Sequence, residues 1–211
     1  MKILVLANDD LKEELLSQGL NEDISVQWLS TVNDDLINYP DADACIDLLF
    51  ENDQKRIELL KRIHPGLVLV NSVVTTLKDL PENFIRFNGW PVFLKRPITE
   101  AACLTETLKT KAEKILSCFN KKPEWVPDIP GFITARVIAM IINEAYFALE
   151  ENVSTKNEID IAMKLGTNYP YGPFEWSEKI ELKNIFSLLT ELSKPNKRYE
   201  PATLLKKEAL L

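Results

Sequence analysis

Glycine is scarce in this chain and absent where a nucleotide would need it. Only six glycines occur in 211 residues, and the first is Gly19. A βα turn that takes up a dinucleotide needs bare backbone amides at a helix N-terminus, which glycine-rich turns provide. Here that turn reads Asn8-Asp9-Asp10. Two carboxylates would face a pyrophosphate, and Coulomb repulsion excludes it as firmly as the missing glycines do. Histidine is nearly absent as well. His64 is the only one, and it precedes Pro65-Gly66 at a helix end, where a donor suits the free carbonyls, so a structural role is expected. No Ser-His-Asp set can be built without it. The three cysteines, Cys45, Cys103 and Cys118, lack metal-ligand spacing, and no secretory cue precedes them. The expectation is a reduced, cytoplasmic protein. Positive charge is also lacking: the net charge is −7 and the pI about 5.0, so neither nucleic acid nor a membrane surface is an expected partner. No apolar run reaches the length of a membrane span.

What is present falls into two halves. Residues 1–7 form a short apolar run followed by a helical pattern to Gly19. Residues 24–29 alternate like a strand, and 41–50 hold a nearly continuous apolar strand of the parallel-sheet type. A helix over 52–63 and a strand over 67–70 continue the βαβ rhythm, which predicts a parallel, doubly wound sheet. Two extended pieces follow at 84–87 and 92–94, then a helix from about Glu100 to Phe119 and a last strand near 123–126. Cys103, among Ala101, Ala102 and Leu104, reads there as a small core residue of that helix. Asp128 reads as a cap for the turn into Pro130. Lys121–Lys122 makes a small local basic pair.

Beyond Pro130 only helices are expected. The first starts at Phe132 and is apolar on most sides: Val137, Met140, Ile141 and Ala145 recur at helical spacing, with Ile138, Ala139 and Ile142 between them. Such a helix needs burial nearly all round, and a subunit interface is a natural third neighbour. A capping box, Thr155 with Glu158, opens a second helix to about 165, and another covers 182–192. The turn Tyr169-Pro170-Tyr171-Gly172-Pro173 reads as a rigid corner between helices. The expected fold class is therefore α/β plus all-α: a reduced Rossmann-like parallel sheet domain (1–128) followed by a helical dimerisation domain (129–211).

Two blocks carry a family resemblance. The run PDIPGFITARV, INEAYFALEE, EIDIAMKLGTNYPYGPFEW strongly resembles the C-terminal domain of 3-hydroxyacyl-CoA dehydrogenases, whose pattern is D-x-PGF-x-x-NR, then EA, then D-x-A-x-x-x-G-x-x-x-P-x-GPFE. The spacing through Asp160, Gly166, Pro170, Gly172-Pro173-Phe174 and Glu175 fits without a gap. Upstream, DADACIDLLFEN and LVLVNS resemble the later half of that family's NAD domain. The resemblance implies fatty acid metabolism and an oxidoreductase of NAD, in which a His–Glu pair takes the 3-hydroxyl proton while a Ser and an Asn place the substrate oxygen. Carried onto this sequence, the serine falls on Val73, the histidine on Pro91, the glutamate on Cys103, with Glu100 near if a small gap is allowed, and the asparagine on Ala135. Arg136 is retained.

None of the four replacements can do that work. The residues therefore predict no catalytic, cofactor or metal site, with NAD not expected to bind, and a residual cleft lined by Asn71, Ser72 and Phe132. The expected function is that of a catalytically inactive, dimeric scaffold or partner subunit of an active relative. The homodimer would form through the helical domain, as the resemblance implies, or a heteromer with that relative. Two alternatives stand beside it: an active oxidoreductase rescued by displaced groups such as Glu100 or His64, and a module that binds an acyl-CoA-like ligand.

Overall fold

The computed structural model describes residues 1–31, 41–63 and 67–211, with the side chain of Ile63 excepted. The chain divides into two units, Met1–Phe132 and Ile133–Leu211.

The first unit is built on seven strands: β1 (Lys2–Leu6), β2 (Ser25–Leu29), β3 (Ala44–Asp47), β4 (Val68–Asn71), β5 (Phe84–Phe87), β6 (Ile98–Ala102) and β7 (Lys122–Trp125). They lie in the order β2-β1-β3-β4-β5-β6-β7. Strands β1 to β5 are mutually parallel. β1, β3 and β4 are buried almost throughout, which is why they read as continuous apolar runs, whereas the edge strand β2 alternates. Helices α1 (Asp9–Leu16), α2 (Gln54–Ile63) and α3 (Glu106–Ser117) accompany the sheet. Ile3, Val5, Leu15, Ile85, Phe87, Ile115 and Phe119 share one core.

The sheet is not wholly parallel, which corrects one expectation: β6 runs antiparallel to β5, with Phe87 opposite Ala101. Residues 92–94 are a turn instead of a strand. Val92 sits at φ 74°, and the amides of Phe93 and Leu94 both donate to the carbonyl of Trp90. The stretch between β5 and β6 is too short for a crossover helix, so the chain reverses. β-Branched Ile98 and Thr99 then start a strand where a helix was expected. The helix begins later, at Glu106, because Thr105 caps it by accepting from the Leu108 amide at 3.3 Å. Cys103 follows a strand and is half-buried, so it is no core residue of a helix.

The second unit holds α4 (Thr134–Glu150), α5 (Lys156–Thr167), α6 (Pro173–Ile180), α7 (Leu182–Ser193) and α8 (Thr203–Ala209). The capping box at Thr155 and Glu158 forms as the residues predict. Helices α6 and α8 are additions to the sequence reading. α6 follows from local chemistry: Pro173 occupies its first turn, and the buried Asp160 accepts from the amides of Phe174 (2.8 Å) and Glu175 (3.2 Å). A Cβ on residue 172 would lie 2.3 Å from Asp160 Oδ1, so Gly172 is what lets α5 come this close. The Gly172 amide donates to Glu175, which also pairs with Lys164. The motif from Asp160 to Glu175 is thus a helix corner. Asp160→Ala is expected to lower unfolding stability by about 1–2 kcal/mol, seen as a lower urea midpoint with unchanged slope. α8 is held by the buried Asn143, which donates to the Glu200 carbonyl (2.9 Å) and accepts from the Ala202 amide (2.8 Å). No helix among the described residues is long and apolar enough to cross a membrane.

Candidate functional site

In open α/β sheets ligands gather outside the carboxyl ends of the parallel strands. At that edge of this sheet stand Asn8 after β1, Asp47 ending β3, Asn71 ending β4 and Asn88 after β5. Glu100 on β6 lies beside Asn88: the Asn88 amide donates to the Glu100 carbonyl at 2.9 Å.

Asn8 caps α1, its Oδ1 accepting from the Leu11 amide at 2.9 Å, with Asp9 and Asp10 exposed in the first turn. A pyrophosphate would have to displace the cap and sit against two carboxylates. The end of β2, Leu29-Ser30-Thr31, has no acid for a ribose, and Asp34 and Asp35 lie outside the described residues. The residues present do not fit NAD.

Asp47 is fully buried and held by Arg56, through Nε to Oδ2 and Nη2 to Oδ1, each 2.7 Å. Burial pushes its carboxyl up from the ordinary range, while the guanidinium and the Leu49 amide pull it down. Asn71 ties three strand ends together: its Nδ2 donates to the Leu48 carbonyl (3.1 Å) and its Oδ1 accepts from the Gly89 amide (3.0 Å). Residue 89 must be glycine for this, since a Cβ there would meet Asn71 Cγ at 2.9 Å.

The residues expected to line a residual cleft are each engaged internally. Ser72 donates to the Thr75 carbonyl at 2.9 Å and is buried. Phe132 is buried, with the Arg86 guanidinium 4.0 Å from its ring centre. Arg86, on the interior strand β5 and fully buried, pairs with Asp128 (2.9 Å) and donates to the carbonyls of Val73 (3.3 Å) and Ile129 (3.0 Å). Burial lowers its pKa to about 10 against the pull of Asp128, so it is still cationic at neutral pH. Asp128 also accepts from the Leu77 amide at 2.9 Å. It is therefore the partner of a buried cation and no mere cap for the turn into Pro130.

Asn88 Nδ2 donates to Glu100 Oε2 at 3.1 Å, and Thr99 Oγ1 donates to the Asn88 carbonyl at 3.2 Å. A neutral amide can orient a carboxylate, but it does not exchange a proton near pH 7. Of the four replaced positions, Val73 is buried, Pro91 lies in the turn before β6, and Ala135 is buried on α4 in the second unit. Cys103 follows β6, its thiol donates to the Thr105 carbonyl at 3.4 Å, and burial pushes its pKa up, away from a nucleophilic thiolate. His64 lies outside the described residues. Arg86 and Asn88 were not among the candidate residues. The available signal was Glu100: placed on a strand beside β5, it selects Asn88 as its neighbour. Among the described residues no group of three His, Cys, Asp or Glu side chains could hold a metal ion.

Residues 131–210 match the family model described as 3-hydroxyacyl-CoA dehydrogenase, C-terminal domain. That part of the chain belongs to the 3-hydroxyacyl-CoA dehydrogenase family. Over 116 residues it is 40% identical to the 3-hydroxyadipyl-CoA dehydrogenase of Escherichia coli, covering 54% of this chain and 24% of that protein. It is 26% identical to the 3-hydroxybutyryl-CoA dehydrogenase of Bradyrhizobium diazoefficiens, covering 95% of this chain and 74% of the relative. The match to a probable 3-hydroxybutyryl-CoA dehydrogenase of Bacillus subtilis covers 63% of that protein. The chain therefore spans from about a quarter to under two thirds of two of these family members. In fold it is similar to the crystal structure of the (S)-3-hydroxybutyryl-CoA dehydrogenase of Ralstonia eutropha: TM-score 0.74, 18% identity, covering 98% of this chain and 92% of that one. The α/β plus helical class is that of these dehydrogenases.

Proposed function

We propose that this family member is non-catalytic, does not bind NAD, and acts as a dimeric scaffold or as the partner subunit of an active relative. The observation that carries the reading is the pair Asn88–Glu100. It joins adjacent strands at the carboxyl edge of the sheet, and it is here, in preference to Pro91 and Cys103, that we place the counterpart of the family's His–Glu pair. Glutamate is retained there, and an amide stands where the imidazole would be. Three further features support it: the acidic N-terminus of α1, the Asn71 tie across β3, β4 and β5, and Arg86 filling the space beside Phe132.

The test is a titration of the purified chain with NADH, followed by nicotinamide fluorescence, together with an assay for NADH-dependent reduction of acetoacetyl-CoA. Neither binding nor turnover is expected. A dissociation constant in the micromolar range, or turnover that Glu100→Gln abolishes, would overturn the reading.

A further inference from the structure

The two edges of the sheet are built differently, and the difference lies in which backbone groups each edge strand turns outward. On β2 the Ser25 amide donates to the Met1 carbonyl (3.0 Å) and the Leu29 carbonyl accepts from the Ala7 amide (2.9 Å). By the alternation of a parallel ladder Ser25, Gln27 and Leu29 therefore face β1. Val26 and Trp28 turn their N–H and C=O groups off the sheet. On β7 the Lys122 amide donates to the Pro97 carbonyl (2.8 Å) and the Val126 amide to the Ala101 carbonyl (3.0 Å). This puts Pro123, which has no N–H to offer, at an outward position between the exposed Lys122 and Glu124. That edge is blocked against a further strand. β2 carries none of these devices: no proline and no charge occurs from Ile24 to Thr31, Ser25 and Gln27 are exposed, and among the described residues no strand lies beyond it.

Outward ladder groups are met by another extended backbone, and the register selects which one. Laid antiparallel about a two-fold axis at Gln27, a second β2 sets Val26 against Trp28 twice, and each pair exchanges two backbone hydrogen bonds because both residues face outward. Four bonds close the contact. On the side where Val26 and Trp28 pack against the sheet core, the indole of each chain meets the valine of the other, a favourable pairing of an aromatic with a β-branched residue. Lys12 of α1 holds that indole, 5.1 Å from its ring centre. On the solvent side Gln27 meets Gln27. No charge is set against its like: Asp23, four residues before the axis, falls opposite Thr31. A closed isologous contact requires such self-complementarity. We infer that a second copy of this chain pairs with β2, antiparallel about Gln27, and joins two seven-stranded sheets into one. The contact is separate from the helical-unit dimer proposed above, and a chain that makes both assembles beyond the dimer. One strand pair buries less than a standard interface, so this contact is weak and concentration-dependent.

Disulfide trapping on the full chain in a Cys103→Ser background, with circular dichroism to confirm folding, tests it; Cys45 and Cys118 are buried. Gln27→Cys is expected to cross-link two chains on mild oxidation, since facing residues of a non-hydrogen-bonded pair lie within disulfide reach. Ser25→Cys, exposed on the same side of the strand, would stand about 14 Å from its own twin and is expected not to cross-link. Light scattering across a concentration series gives the second arm. Gln27→Lys sets two ammonium groups against each other, and Val26→Pro removes an outward N–H without touching the ladder to β1. Each is expected to weaken the strand contact roughly tenfold or more. Failure of Gln27→Cys to cross-link, cross-linking of Ser25→Cys as readily, or an unchanged mass distribution in Gln27→Lys would each overturn the pairing. The helical-unit dimer stands or falls separately, because neither Gln27→Lys nor Val26→Pro alters that unit.

Discussion

Arg56→Met is expected to lower the unfolding free energy by about 3–5 kcal/mol at neutral pH, the range for breaking one side of a buried ion pair. The Asp47 side chain is wholly buried and that of Arg56 is 11% exposed. Two 2.7 Å bonds and the Leu49 amide at 3.0 Å hold the carboxylate. Methionine fills much of the arginine's apolar volume, so the loss is chiefly electrostatic. Water cannot replace the guanidinium at a carboxylate with no exposure. The pH dependence follows from the direction of the shift. Burial already holds the Asp47 pKa above its ordinary value, with Arg56 opposing. Without Arg56 the folded-state pKa moves further up. The folded variant then keeps its proton over a pH window in which the wild type is ionised and paired. A raised carboxyl pKa means stability falls as pH rises from the unfolded value through the folded one. The variant's deficit therefore grows with rising pH and narrows on acidification. Urea unfolding of both proteins across the carboxylate range reads this directly. A deficit under about 1 kcal/mol and flat with pH would place the pair among solvent-screened ones and count against its burial.

The parts of the fold that were legible in the sequence are those set by nearest neighbours. The apolar run of β1, the Thr155 cap at its helix start, and the Gly172-Pro173 corner are decided within a few residues. Direction and partnership were less so. Ile98–Ala102 becomes a strand because β5 is alongside it, a fact of tertiary pairing that overrides the helical propensity of Glu100, Ala101 and Ala102. Lys121 read only as half of a small local basic pair, with nothing to mark it as buried, and it is 3% exposed. Its ammonium donates to the carbonyls of Leu94 and Arg96, and burial lowers its pKa to about 8. The candidate site suffered from the same limit. The counterparts of the family's catalytic groups were counted along the chain through a stretch whose strand register was misread, which led to Pro91 and Cys103. Pairing across strands relocates the comparison to Asn88 and Glu100, twelve residues apart in sequence and joined by one hydrogen bond. Arg86 gave no signal at all, because a lone arginine between Ile85 and Phe87 looks like an outward-facing position of an alternating strand.

That arginine carries the second large effect. Arg86→Met is expected to cost about 2–4 kcal/mol. It is fully buried, and it alone joins Val73, Asp128 and Ile129 while lying against the Phe132 ring. The upper end of the range would follow if Asp128 were buried too. Its side chain is 29% exposed, however, and it keeps the Leu77 amide, so water can take up part of the stranded charge. The Val73 carbonyl keeps the Gly131 amide at 2.8 Å and the Ile129 carbonyl the longer bond from the Phe132 amide at 3.3 Å, so the loss falls on the 129–132 turn. The damage should therefore be local as well as global. Amide exchange at Gly131 and Phe132 is expected to accelerate beyond what the change in global stability accounts for. Arg86→Lys separates charge from geometry. A lysine keeps the cation for Asp128, but as a point donor it cannot span carbonyls on two segments in the way a guanidinium fork does. It should recover part of the stability and little of the exchange protection. If lysine restores both, the guanidinium is no more than a counter-ion, and the segment from Asp128 to Phe132 is held by something else. If methionine costs nothing and exchange at Gly131 is unchanged, Arg86 is not what holds Phe132 in place, and the filled space beside that ring no longer supports a non-catalytic reading.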